Sequence, residues 1–205
     1  MYLYWMVYPS IMMRVQGVTV VAAFVSIIIA TNYGLTPLAN VKLEDLLVFV
    51  AAFVFGLRIG ITVAVLSETL WGIMSPYGFG GAIIPFLVIG ELLYAVAGSG
   101  LSHILKERIE PFSSTNVLMG SLLAACAFIF DVETNAATAF LVFGGGTTLR
   151  TLLDYEFLGI PFMIPHELSD FVLGSLVASP IIYYARRLGA RKEVYHLGKR
   201  VEAGI

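Results

Sequence analysis

The sequence predicts an all-α, polytopic membrane protein, a bundle of six transmembrane helices with both termini in the cytoplasm. Hydrophobic residues make up 59% of the 205 residues, and the mean hydropathy of +0.89 is far above that of a soluble domain. Apolar runs recur along the whole chain, so residues 1–205 are expected to form a single membrane-embedded domain. Because lipid cannot pair exposed backbone groups, the runs should be helices rather than an open sheet.

Apolar runs between Gly, Pro and charged residues predict the six spans. These are 15–33, 44–57, 59–74, 82–105, 117–142 and 162–185. The second and third spans are joined only by GLRIG at 56–60, which predicts a tight turn at one membrane face. Residues 1–14 are rich in aromatic side chains, so they predict a short interfacial segment, separated from the first span by Pro9 and Arg14.

The basic residues predict the direction of the bundle. With six spans, Lys42 and Arg150 lie on one side and the other ten Lys and Arg residues lie on the opposite side. The tail 186–205 carries six of these ten, so the positive-inside tendency places it and the N-terminus in the cytoplasm. The net charge of −2 argues against a nucleic-acid partner.

Several kinds of enzyme and cofactor site are not predicted. Cys126 is the single cysteine, and no G-x-x-x-x-G-K-[ST] motif is present to bind ATP. The GSGLSH stretch offers Ser99 as a nucleophile, but the predicted spans put it about 25 Å from the candidate base His166. No clustered metal-ligand motif occurs, since HELSD brings only His166 and Asp170 to one helix face. The protein is therefore not expected to be an enzyme or to bind a cofactor or metal.

Polar residues interrupt the fifth span in FIFDVETNAATAF, residues 128–140. Asp131, Thr134, Asn135 and Thr138 have the spacing i, i+3, i+4, i+7 and share one helix face. An acid in a transmembrane helix is costly unless it faces a partner, water or the bundle interior. This face is therefore expected to line a polar site.

Other ionisable residues are predicted in the same outer half of the membrane. Glu68 and Glu91 are each followed three positions later by an aromatic residue, Trp71 and Tyr94. No Lys or Arg is expected at this depth, so a ligand with positive charge or hydrogen-bond donors would compensate the acids. Individual acids can instead be protonated groups that bond between helices. As a set, they predict a pocket that opens outward.

The predicted outer loops supply a cover for this pocket. They follow the first span, the third span (SPYGFGGAIIP) and the fifth span (GGGTTLRTLLDYEFLGIP), and their glycines permit hinge-like motion or simply form turns. The predicted substrate-binding residues are Asn32, Tyr33, Glu68, Trp71, Tyr77, Glu91, Tyr94, Asp131, Thr134, Asn135, His166 and Asp170.

The first span carries a stripe of small residues at Ala22, Ser26 and Ala30, which allows close approach of another helix, in this bundle or in a partner. With this stripe, with VFGLRIGITVAVLSETLWGIMSPYGFGG and with FDVETNAATAF, the chain resembles the substrate-binding S components of energy-coupling factor (ECF) transporters over nearly its full length. The family pattern in the first helix is usually Ala-x-x-x-Ala, from which Ser26 departs.

The resemblance implies uptake of a vitamin or related micronutrient across a prokaryotic plasma membrane. It implies a transmembrane scaffold subunit and two ATPase subunits as partners, with the stripe at Ala22, Ser26 and Ala30 as the docking face. A different class also fits the residues: a self-contained proton- or cation-coupled carrier with Glu68, Glu91 and Asp131 as relay groups. No internal repeat typical of such carriers is evident.

Overall fold

The computed structural model describes residues 2–105 and 109–187, with side chains from residue 17 onward, and this part of the chain is helical without strands. The helices are α1 (Tyr2–Leu35), α2 (Glu44–Phe55), α3 (Leu57–Met74), α4 (Ile84–Leu105), α5 (Ser114–Phe143), α6 (Leu149–Leu173) and α7 (Ser179–Arg187). Short 3₁₀ turns occupy Gly81–Ile83 and Gly144–Gly146, and a π-helical turn, Gly174–Ala178, joins α6 to α7. The predicted all-α class is confirmed.

Five helical segments are long and apolar enough to cross a membrane. They are Gly17–Leu35, Leu57–Met74, Gly81–Leu105, Ser114–Gly146 and Leu149–Arg187. The chain is therefore a multi-pass membrane protein by length and composition. The prediction of six spans is not confirmed, because α2 has only 12 residues and rises about 18 Å, against a hydrocarbon core of about 30 Å.

The helices alternate in direction along the bundle. The Tyr33 hydroxyl donates to the Met74 carbonyl at 2.5 Å, which joins the ends of α1 and α3, while Gly17 in the middle of α1 lies near Ile59 at the start of α3. Helices α1 and α3 are thus parallel, and α2 runs back between them. We call the end with connections 36–43, 75–80 and 147–148 the distal end, and the end with Gly56 the basal end.

Helix α2 is the central helix of the bundle. Ten of its 12 residues are buried, including Phe49 and Phe53, because α1, α3, α4 and α7 surround it. A helix that is apolar on all sides is expected in such a position. Gly98 of α4 lies directly against the Phe49 carbonyl, where any side chain would collide with the α2 backbone.

Three predicted boundaries require correction or fall outside the described residues. Helix α6 begins at Leu149, with Thr148 as its N-cap, so most of the segment predicted as a loop before residue 162 is helical. Helix α1 runs from Tyr2 to Leu35 through Pro9 and Arg14, so these two residues do not interrupt the helix; the interfacial position of residues 1–14 stays a prediction. The predicted basic tail lies outside the described residues beyond Arg187.

Candidate functional site

Six carboxyl groups from five helices are buried in the distal half of the bundle. We call them the acid cluster: Glu44 and Asp45 of α2, Glu68 of α3, Glu91 of α4, Asp131 of α5 and Asp170 of α6. None is more than 6% exposed. Burial of a carboxyl group is costly, so each of these groups must find a proton, a donor or a cation.

The hairpin of α2 and α3 brings its acids to one level. Gly56, at a φ of 95°, forms the turn, and Glu44 precedes it by the same 12 residues by which Glu68 follows it. Both arms rise equally from the turn, so Glu44 and Asp45 lie beside Glu68. Sequence analysis missed Glu44 and Asp45 because it placed them at the membrane surface, although the equal spacing around Gly56 was visible.

His166 lies between two members of the acid cluster. Its Nδ1 atom is 3.0 and 3.1 Å from the two carboxyl oxygens of Asp131, and its Nε2 atom is 3.5 Å from Oδ2 of Asp45. Asp170 follows one helical turn later on α6, and one atom each of Asp45, His166 and Asp170 lie within 4.8 Å of one another. Helices α2, α5 and α6 thus meet through one imidazole.

Two further predicted residues border this group. Glu91 approaches Asp45, and Tyr94 approaches Asp170. The Tyr94 side chain is fully buried. The predicted site residues Glu68, Glu91, Tyr94, Asp131, His166 and Asp170 are therefore gathered in one region, as the depth pattern predicted.

Lys42 contradicts the expectation that no basic residue lies at the depth of the acids. Its Nζ atom is 3.8 Å from Oε2 of Glu68, because connection 36–43 descends into the bundle to the recessed start of α2. Burial alone would lower the pKa of Lys42, but the neighbouring carboxylates, Glu68 above all, outweigh it and raise this pKa above its ordinary value. Lys42 therefore remains a cation.

Many oxygens of the acid cluster have no hydrogen-bond partner among residues 17–105 and 109–187. Both oxygens of Asp170 and both of Glu68 are without one, as are single oxygens of Glu44, Asp45 and Glu91. His166 Nε2 and the Tyr94 hydroxyl share this property within the same ranges. Buried polar atoms are normally paired, so the cluster has unused capacity to bind donors or cations.

A cavity of about 360 Å³ lies at the distal end. Three of the predicted site residues, Asn32, Trp71 and Tyr77, line it together with Asn40, Lys42 and Phe162. The Trp71 ring makes edge contacts with Tyr33 at 5.4 Å and with Tyr77 at 6.5 Å. The walls are mainly apolar and aromatic with few polar groups, as in small-molecule sites.

Hydrogen bonds hold the connections around this cavity. The Tyr77 hydroxyl donates to the Thr36 carbonyl over 2.6 Å, and Asn40 Nδ2 donates to the Phe162 carbonyl over 3.1 Å. Connection 36–43 is therefore hydrogen-bonded to Tyr77 of connection 75–80 and to Phe162 of α6. Asn40 has a φ of 55°, a left-handed conformation that Asn tolerates better than most residues.

The cavity adjoins the acid cluster through two shared residues. Asn32 lines the cavity and donates from Nδ2 to Glu44 Oε2 over 2.7 Å, and Lys42 lines it and faces Glu68. These two side chains form a polar floor. A molecule in the cavity would therefore be one side chain away from the buried acids.

Two predicted site residues are not brought into this region. The Thr134 hydroxyl donates to the backbone carbonyls of Phe130 and Asp131, over 2.9 and 3.2 Å. Asn135 Nδ2 donates to Glu156 Oε2 over 3.1 Å, within the α5–α6 contact where it packs on Gly159. The predicted polar face of α5 is therefore divided, and only its Asp131 joins the acid cluster.

No known protein family, curated protein or solved structure matches the chain.

Proposed function

We propose that the chain is the membrane-embedded substrate-capture subunit of an ATP-powered uptake transporter of the ECF type, with a vitamin or related micronutrient as its substrate. The observation that carries the proposal is the aromatic-walled cavity at the distal end, directly above buried acids that have free oxygens. Clefts with mainly apolar walls and a few convergent polar groups are the common form of small-molecule sites.

The distribution of charge supports an outward orientation of the cavity. Arg58, Arg186 and Arg187 lie toward the basal end, whereas Lys42 is bound to Glu68 at the cavity floor. In a prokaryotic plasma membrane, this distribution favours a cytoplasmic basal end and termini. The cavity would then receive its ligand from outside the cell.

A helix face that is exposed in the described part of the chain supports the need for partners. Ala22, Ser26 and Ala30 follow one another along α1, and all three are exposed. Small residues in this spacing permit close helix packing in membranes. We assign this face to a transmembrane scaffold subunit that carries two ATPase subunits. Substitution of Ser26 with Leu should weaken co-purification with that scaffold and leave ligand capture unchanged.

The test of ligand capture uses the protein as purified in mild detergent. Mass spectrometry should find a small molecule that co-purifies with the wild type and is lost in Trp71→Ala, because Trp71 forms a wall of the cavity. The control is Phe128→Ala, since Phe128 is an exposed aromatic residue on α5 that does not line the cavity. Equal ligand content in the wild type and Trp71→Ala would refute the site assignment.

The buried acids favour one alternative, a self-contained carrier coupled to protons or other cations. Ionisable acids inside a membrane are typical of proton relays. Proteoliposomes that contain only this chain distinguish the two functions. Uptake driven by a proton gradient, and abolished in Glu91→Gln, would establish the carrier, whereas uptake that needs the scaffold, the ATPases and ATP would establish the capture subunit.

A further inference from the structure

We propose that Asp45, His166 and Asp170 form a binding site for a divalent transition-metal ion, such as Zn²⁺ or Co²⁺, beneath the distal cavity. The site is distinct from the cavity itself and does not depend on the proposed transport function. Its three side chains come from α2 and α6 and are at most 2% exposed. Sequence spacing shows only His166 and Asp170, since the third ligand lies more than 100 residues earlier.

The distances between the ligand atoms suit one ion. Nε2 of His166 and Oδ2 of Asp45 are 3.5 Å apart, and an Asp170 oxygen completes a group within 4.8 Å. Two ligands of a tetrahedral ion, each about 2.1 Å from it, are about 3.4 Å apart. An Asp170 oxygen therefore needs to come closer by at most about 1.4 Å to complete the site, and Tyr94 is the neighbour with which it interacts.

Asp131 orients the His166 imidazole as a metal ligand. Its carboxylate lies 3.0–3.1 Å from Nδ1 of His166, so when an ion displaces the proton of Nε2, the ring keeps its other proton on Nδ1 and offers Nε2 to the ion on the side of Asp45. A carboxylate that holds the second nitrogen of a ligand histidine is a recurrent feature of metal sites. Nε2 itself has no hydrogen-bond partner in the described part of the chain.

The ligand set and the charge of the surroundings select the class of ion. Two carboxylates with one imidazole suit divalent Zn, Co, Fe or Mn better than Ca²⁺ or Mg²⁺, which prefer oxygen ligands alone. Among the described residues, Lys42 and His166 are the only basic groups paired with the six carboxyls of the acid cluster, so a dication lowers the electrostatic cost of their burial.

The test measures metal binding by the full chain in detergent after removal of metals by a chelator. The wild type should bind one equivalent of Zn²⁺ by calorimetry, and one equivalent of Co²⁺ should produce visible ligand-field bands that report a nitrogen ligand. Asp170→Asn and His166→Gln should weaken binding at least tenfold and alter the Co²⁺ spectrum. Asp131→Asn should weaken it by about 10- to 100-fold through the orientation of His166.

Asp154→Asn is the matched control, because Asp154 is an exposed acid on the same helix, paired only with Arg150 among the described residues. Its affinity for Zn²⁺ should equal that of the wild type. The proposal is overturned if the folded wild type binds no equivalent of either ion. It is also overturned if Asp170→Asn, eluting as a monodisperse protein, binds Zn²⁺ with unchanged affinity and spectrum.

Discussion

Two groups of buried polar side chains differ in how their atoms are paired. At the basal end, the Asn116 amide donates to the Ser175 carbonyl over 2.8 Å and accepts from the Ser179 hydroxyl over 2.8 Å and from the Ser113 backbone over 3.1 Å. We call this group the amide network. In the acid cluster, by contrast, Asp170 and Glu68 each have two oxygens without a hydrogen bond in the described ranges.

The difference separates polar groups that hold helices together from those able to bind something else. Both polar atoms of the Asn116 amide are used between α5 and the segment after α6, so this side chain adds stability and has no capacity left. Several carboxyl oxygens of the acid cluster have no hydrogen bond in the described residues, so hydrogen bonding does not offset the cost of burying them. Burial of a polar residue alone is thus a weak sign of function, while burial without partners is a strong one.

The largest expected effect on stability follows from loss of the ion pair between Lys42 and Glu68 of the acid cluster. In Lys42→Met, the 1% exposed Glu68 carboxyl loses its ion pair, and the free energy of unfolding should fall by about 3 kcal/mol, the lower end for a buried pair. The double variant Lys42→Met with Glu68→Gln should recover most of this loss. Denaturant titration in mixed micelles provides the measurement, and equal stability of wild type and single variant would contradict the pairing.

The amide network should show a smaller loss. Asn116→Val leaves the Ser175 carbonyl and the Ser179 hydroxyl without their partner, and should lower the free energy of unfolding by about 2 kcal/mol. Zn²⁺ affinity should not change, since Asn116 has no contact with the acid cluster. A loss of Zn²⁺ affinity in a protein of unchanged stability would reverse the two roles.

An increase in the free energy of unfolding, rather than a decrease, is expected for one substitution within the acid cluster. Asp170→Asn removes a buried carboxyl group that has no hydrogen-bond partner in residues 17–105 and 109–187 and lies beside Asp45, so the metal-free protein should gain about 1 kcal/mol of unfolding free energy. Thermal melts of the chelator-treated wild type and variant measure the gain. A destabilisation as large as that of Asn116→Val would mean that Asp170 is paired as a structural group.

The smallest effect is expected at Thr134, which belongs to neither group. Its hydroxyl bonds to the carbonyls of its own helix, so Thr134→Val should change the free energy of unfolding by no more than about 0.6 kcal/mol. Retention of the co-purified ligand should also be unchanged, as mass spectrometry can show. Loss of that ligand would restore Thr134 to the substrate site that the sequence pattern predicted.

The all-helical class and the position of most acids were predictable, because both follow from local properties. Apolar runs define helices that cross lipid, and acids inside them must turn inward, which correctly grouped Glu68, Glu91 and Asp131. The acid–aromatic spacing also indicated Tyr94 correctly as a neighbour. These inferences need only helix geometry and the cost of charge in hydrocarbon.

What sequence could not show was the depth at which α2 begins. The same residues are compatible with an α2 that begins at the membrane surface and with one that begins inside the bundle. Only the packing of the other helices around α2 decides between these two positions. The choice determines whether Lys42, Glu44 and Asp45 belong to a loop or to the acid cluster, and therefore whether a third ligand joins His166 and Asp170. The helical start of α6 at Leu149 was missed for another reason, because glycines and charges in that segment are equally typical of a loop.

The π-helical turn Gly174–Ala178 sets the relative orientation of Asp170, in the acid cluster, and Ser179, in the amide network. Asp170 and Ser179 are nine residues apart, so in a regular α-helix they would differ by about 900° and point to opposite sides. Because a π turn accommodates one extra residue, the angle between the two side chains around the helix axis falls to about 80°. Both side chains are fully buried. The chain can therefore lose one residue here and keep both faces aligned, whereas a one-residue gain would turn one of them toward lipid.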